Sequence, residues 1–153
     1  MNDKILKVLG ESAVEYFVGA TGEKAYADAP YVKGIDELIL LDYTGLIGIS
    51  GSNRGGIYIT CSEQMLTEIT SIILSNDLEG VDIADMVGEI ANTVSGNAQK
   101  ALGGGFMISV PVIVKGRFDH FKFQIRPPTY VIPIVWREHK SYLVIGIEPS
   151  TQK

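Results

Sequence analysis

The side chains most able to do chemistry fall together between residues 82 and 103. At helical spacing, Asp85, Glu89, Asn92, Gly96, Gln99 and Gly103 line one stripe. Val87, Ile90, Ala91, Val94, Ala98, Ala101 and Leu102 form the opposing apolar face. A solvated helix face would ordinarily use Lys, Glu, Arg and Ala. This one places Asn92 and Gly96 in mid-helix, where Gly costs about 1 kcal/mol relative to Ala and Asn roughly half that. Gly88 adds a further cost of the same kind. Such choices suit a face that another surface approaches closely, with a carboxylate and an amide one turn apart. The plain alternative is a wet helix face, with Gly96 making room for a neighbouring element of the same chain.

The rest of the chain must position that helix. Residues 3–19 are predicted helical, with Ile5, Leu6, Leu9, Ala13 and Tyr16/Phe17 recurring on one side and Gly19 and Gly22 ending the helix. Residues 20–34 suggest an irregular connection. Residues 35–61 are predicted as strand, long Gly-rich turn (GSNRGG) and strand, with Gly45 marking a bulge or break. A short helix is expected over 62–75, starting near Ser62, and the 82–103 helix ends at Gly103, Gly104 and Gly105. Beyond it, MISVPVIVKG, FDHFKFQIRPP, YVIPIVW and SYLVIGIEP are predicted strands, with REHK as the last hairpin turn and Pro127 and Pro128 interrupting the pairing. The expected class is α+β with a mostly antiparallel sheet, as one domain over 1–153.

GEIANTVSGNAQKAL, spanning 88–102, resembles the signature helix of the CheX and CheC group of chemotaxis phosphatases. Their pattern is Glu-x-x-Asn followed four to five residues later by Gly-Asn, here Glu89, Asn92, Gly96 and Asn97. The order of elements also resembles CheX over most of the chain and implies a CheC-like fold. CheC-type proteins carry two such helices; no second Glu-x-x-Asn occurs here, since Val14 follows Glu11 by three residues and Val18 follows Glu15. One site per chain is similar to CheX, and the resemblance implies a homodimer. It further implies hydrolysis of the phosphoaspartate of a CheY-like receiver domain, with Glu89 and Asn92 as catalytic residues and Asp85, Gly96 and Gln99 on the partner-binding face. Asn92 would place the attacking water, and Glu89 would pair with the receiver lysine. No cofactor of the chain's own is expected; Mg2+ would arrive on the receiver. A non-catalytic receiver-binding adaptor of the same fold is the alternative, and a small-molecule sensor a third.

Other features bound the answer. The net charge of −5 and the lack of a basic stripe disfavour nucleic acid and anionic membranes as partners. The mean hydropathy of +0.18 hints at apolar surface buried in an oligomer, and the terminal strand 141–148 is a candidate for pairing across subunits. The single Cys61 excludes an intramolecular disulfide and makes a reducing cytoplasm the expected location. Neither a signal peptide nor an apolar run near the roughly 20 residues of a membrane span is expected. GSNRGG with Arg54 could cradle a phosphate, but it lacks the Lys-Ser or Lys-Thr of a P-loop and suggests a hairpin turn instead. His120 and His139 lack metal-ligand spacing. Cys61 suggests a buried strand-end residue, and Trp136, Tyr130 and Tyr142 suggest core or dimer contacts.

Overall fold

The computed structural model describes residues 3–34, 37–117 and 126–150. Its elements are α1 (Asp3–Thr21), β1 (Ala25–Ala27), β2 (Tyr31–Val32), β3 (Tyr43–Gly51), β4 (Asn53–Cys61), α2 (Glu63–Ile73), α3 (Ala84–Leu102), β5 (Phe106–Ile108), β6 (Val112–Lys115), β7 (Tyr130–Trp136) and β8 (His139–Pro149). All pairings are antiparallel, in the order β1-β7-β8-β4-β3-β5, with β2 also on β7 and β6 also on β3.

The period-2 alternation of the strands decides what each face meets. Ile57, Ile59 and Cys61 of β4 point to the helices, beside Ile47 of β3, Leu143 and Ile145 of β8 and Ile134 of β7. The helices answer with Leu9, Ala13 and Phe17 of α1, Met65, Leu66 and Ile69 of α2, and Val87, Ile90 and Val94 of α3. Tyr58, Leu46, Val131 and Val144 point to the far face, where Ile39 and Leu40 cover them. Two buried faces explain why β7 and β8 are nearly continuous apolar runs.

Several expectations change in detail. The first strand begins at Tyr43, not near residue 36. The preceding segment crosses the far face, held by the Tyr58 hydroxyl donating to Ile39 O (2.8 Å) and by Leu41 N–H donating to Thr60 Oγ1 (2.7 Å). GSNRGG is not a long turn: β3 and β4 continue through its glycines, in register to Ile49↔Gly55. Gly45 marks neither bulge nor break, since pairing runs unbroken through Gly45↔Ile59. The 20–34 connection contains β1 and β2. They pair with β7 on either side of Pro133, which has no N–H to offer, and Asp28 N–H donates to Pro133 O (2.9 Å). The strand expected at 107–116 divides into β5 and β6. At the break Ser109 Oγ accepts from Gly48 N–H (2.8 Å) and Pro111 again lacks a donor. The turn at Arg137 and Glu138 closes the β7–β8 hairpin as expected. β8 lies between β4 and β7, so it cannot pair across subunits by an open edge. The FDHFKFQIRPP strand falls largely outside the described residues; residues 126–129 lead into β7 without strand structure.

Candidate functional site

α3 is fixed from three sides. From below, β3 approaches so closely that a Cβ on Gly45 would sit 2.7 Å from Val87 O and 3.0 Å from Ala91 Cβ. Only glycine permits that contact. On one flank, a Cβ on Gly88 would meet Ile113 Cδ1 of β6 at 2.9 Å. On the other, Ser12 of α1 donates its hydroxyl to Val94 O (2.9 Å) in the buried crossing. Just before the N-terminus, Asp82 Oδ1 accepts from Ala84 N–H (3.0 Å) while Oδ2 pairs with Lys115 Nζ (3.1 Å). The Ala84 N–H and then Lys115 hold the Asp82 carboxyl below its usual range. At the other end Gly103, with φ 99°, turns the chain out of the helix.

What remains free is the stripe singled out from sequence. Asp85, Glu89, Asn92 and Asn97 are exposed; Gly96 and Gln99 are half-buried. Val87, Ile90, Ala91, Val94 and Ala98 are buried as expected, but Ala101 is exposed because the core ends before the last turn. Among the described residues, Glu89, Asn92 and Asp85 make no side-chain hydrogen bond or ion pair. Among the described residues outside the helix, nothing lies within 4 Å of where a Cβ on Gly96 would be. Gly88 is therefore explained by packing within the chain, and Gly96 is not.

One neighbour of Glu89 was missed. Tyr16 counted only as a core position on α1, yet its hydroxyl reaches α3 and donates to the weak acceptor Met86 Sδ (3.5 Å). Burial, and then the nearby Glu89 charge, push its phenol up to about 12. A contact across 70 residues leaves no local sequence signal.

The other candidates resolve into structural roles. Arg54 pairs with Glu148 (2.7 Å), so its charge is not held for a phosphate. Cys61 is fully buried, and burial pushes its thiol up to about 12, far from a nucleophile's range. Trp136 is buried and donates to Thr21 Oγ1 (3.1 Å). His120 lies outside the described residues. His139 is brought beside Glu68 (3.1 Å) and Glu138 (3.9 Å), a grouping that sequence spacing did not suggest. Arg137 already occupies that place, with Nη1 2.9 Å from Glu68 and its guanidinium on Glu23 (2.7 Å). Among the described residues no helix is long and apolar enough to cross a membrane.

A family model described as "Chemotaxis phosphatase CheX" matches residues 43–134, a span that contains all of α3. Nothing among curated protein sequences matches. Solved structures do. A CheC-like superfamily protein from Shewanella sp. PV-4 is 26% identical over 97% of this chain and 99% of its own, with a TM-score of 0.83. The chemotaxis protein CheX from Vibrio vulnificus is 27% identical over 94% and 99%, with a TM-score of 0.81. The CheX of the CheX–CheY–BeF3–Mg2+ complex from Borrelia burgdorferi shares the fold at 18% identity, over 94% and 97%, with a TM-score of 0.73. The fold is thus CheC-like, and the chain belongs to the CheX family.

Proposed function

We propose that this chain hydrolyses the phosphoaspartate of a CheY-like receiver domain, with Glu89 and Asn92 as its catalytic residues. The observation that carries the reading is the unpartnered Glu89–Asn92 pair, one turn apart on a helix held from three sides. Family membership supports it, as does the fold shared with the Borrelia CheX that is complexed with CheY, BeF3 and Mg2+.

Hydrolysis of an acyl phosphate is an in-line displacement. Water oxygen attacks phosphorus as the bond to the aspartyl oxygen breaks, and charge spreads over the phosphoryl oxygens. The receiver's Mg2+ and lysine neutralise that charge, so the remaining task is to place the water. Asn92 suits it: Oδ1 accepts a hydrogen bond from the water, and Nδ2 donates toward a phosphoryl oxygen. Glu89 pairs with the receiver lysine and sets the register of the helix across the site. Asp85, Gly96 and Gln99 belong to the docking face, and the open space at Gly96 lets the receiver approach the helix backbone. The chain acts as a cytoplasmic homodimer; exposed Met107, Val110 and Val112, at 52%, 79% and 55% exposure, offer apolar surface along β5 and β6 for the contact.

The test is phosphate release from a panel of phosphorylated receivers of the same organism, with wild type beside Asn92→Ala. Acceleration by wild type alone supports the phosphatase and the amide. Binding without acceleration of any receiver would replace it with the adaptor reading.

A further inference from the structure

We infer that the cleft at the N-terminal end of α3 receives an apolar side chain of the partner receiver flanked by a Lys or Arg, and that Asp85 on its lip pairs with that cation. The inference rests on the receiver reading above and names what selects the receiver. The cleft holds about 450 Å3. Tyr16, Ile73, Leu74, Val81 and Met86 supply its apolar lining, and Asp85 and Glu89 stand at its edge. Because Glu89 belongs to both, the cleft is continuous with the catalytic stripe.

Its apolar residues are uncovered for a local reason. α2 ends where Ser75 and Asn76 take positive φ (53° and 69°), and the chain turns away from the helix. Ile73 and Leu74 are left 40% and 38% exposed, and Val81 on the connection is 38% exposed. Unlike scattered surface apolar residues, these share one concavity, and Met86 adds a deformable thioether that adapts to different occupants.

Charge identifies the class of occupant. Residues 77–89 carry Asp77, Glu79, Asp82, Asp85 and Glu89 and no Lys or Arg. Asp82 is committed to the Ala84 N–H and to Lys115. Asp85 and Glu89 have no partner among the described residues. An apolar cleft with two uncompensated carboxylates at its edge repels acidic surfaces and favours an apolar side chain next to a base. Glu89 faces the receiver's active-site lysine, so Asp85 is left for a second cation outside that site. That second pairing distinguishes one receiver from another.

Val81→Lys and Asp85→Lys test this, with Glu11→Lys, in a different cleft, as a control that matches the charge change of Asp85→Lys. All three positions are exposed, and circular dichroism with Tm verifies folding. Affinity is read by titration against receivers loaded with BeF3 and Mg2+, at low and high salt. Val81→Lys and Asp85→Lys are expected to weaken binding at least tenfold, and wild-type affinity to fall with salt while that of Asp85→Lys changes less. Glu11→Lys is expected to bind within twofold of wild type. If wild type binds a receiver and both cleft variants bind it equally well, the cleft has another occupant, such as a small apolar ligand. The inference then falls while the receiver reading stands. If wild type binds no receiver, the receiver reading fails and takes this inference with it.

Discussion

Gly96→Ala adds one methyl group to α3 at a point where no described residue outside the helix lies within 4 Å. Within the isolated chain it relieves a glycine in a helix interior, worth about 0.8–1 kcal/mol. For a chain of this length that corresponds to a Tm rise of roughly 2–4 °C. In the complex the same methyl stands where the receiver surface is proposed to approach the helix backbone. Misfit at a packed surface costs about 1–3 kcal/mol; at the middle of that range kcat/KM for phosphoreceiver hydrolysis falls about thirtyfold. Stability and turnover should therefore move in opposite directions. Gly45→Ala is the counterpart. Its Cβ would meet the Val87 carbonyl, a backbone atom that cannot swing aside. A similar cost then falls on folding, and Tm drops by roughly 2–12 °C. The assays are thermal unfolding followed by circular dichroism, and phosphate release over a range of receiver concentrations. A Gly96→Ala protein that is more stable and turns over normally would refute close approach at this face. One that is less stable would refute the open space.

Three further outcomes are expected. Asn92→Ala should bind a BeF3-loaded receiver within about twofold of wild type yet lose on the order of 100-fold in kcat, the scale of removing one positioned polar group; Glu89→Ala should weaken both, as titration and single-turnover phosphate release will show. Cys61, buried with its thiol pushed up to about 12, should resist a thiol reagent at pH 8 in the native protein and react on unfolding, so that labelling follows the unfolding curve. Burial opposes ionisation of Glu68, but the adjacent His139 imidazole and hydrogen bonds from Arg137 and Gln64 outweigh it and hold the carboxyl below the ordinary glutamate range. Its contribution is full above that range and lost as pH falls through the folded value, so Glu68→Gln should lower Tm at pH 7 and show a smaller further loss on acidification than wild type.

Helices α1 and α3 were legible because a 3.6-residue apolar period is local and long enough to count: Leu9, Ala13 and Phe17, or Val87, Ile90 and Val94, could hardly serve another element. The Ser62 cap of α2 was legible for the same reason, and Ser62 does accept from Met65 N–H (3.1 Å). The glycines misled. Gly51, Gly55 and Gly56 suggest a long loop in one dimension. In three, Gly55 is glycine because Gly146 O of β8 stands where a Cβ would go, and Gly45 is glycine because α3 presses on β3. Residues 38–41 have the composition of a strand, yet they cover the far face instead, because Tyr58 and Thr60 offer them hydrogen bonds that only the folded sheet presents. The exposed stripe of α3 was visible as an unusual choice of residues. The cleft beside it was not, since Tyr16, Leu74 and Val81 come from three separate stretches of chain.

The same structure explains how α3 tolerates its composition. Gly88, Asn92 and Gly96 together cost about 2–2.5 kcal/mol of helix propensity. A 19-residue segment with that composition has little reason to be helical alone. Its buried face supplies the difference: Val87, Ile90 and Val94 are each no more than 1% exposed, and burying each such side chain contributes about 1.5–3 kcal/mol. The helix thus draws its stability from its buried face, against β3 and α1, and the outward side is free of that duty. That division matters for the proposed hydrolysis. A water aimed at phosphorus must be held to a fraction of an ångström, which a loop residue could not do. Asn92 meets that requirement of the proposed role, because the Gly45 contact, the Ile113 flank and the Ser12–Val94 hydrogen bond fix the helix beneath it, while no hydrogen bond among the described residues competes for its amide.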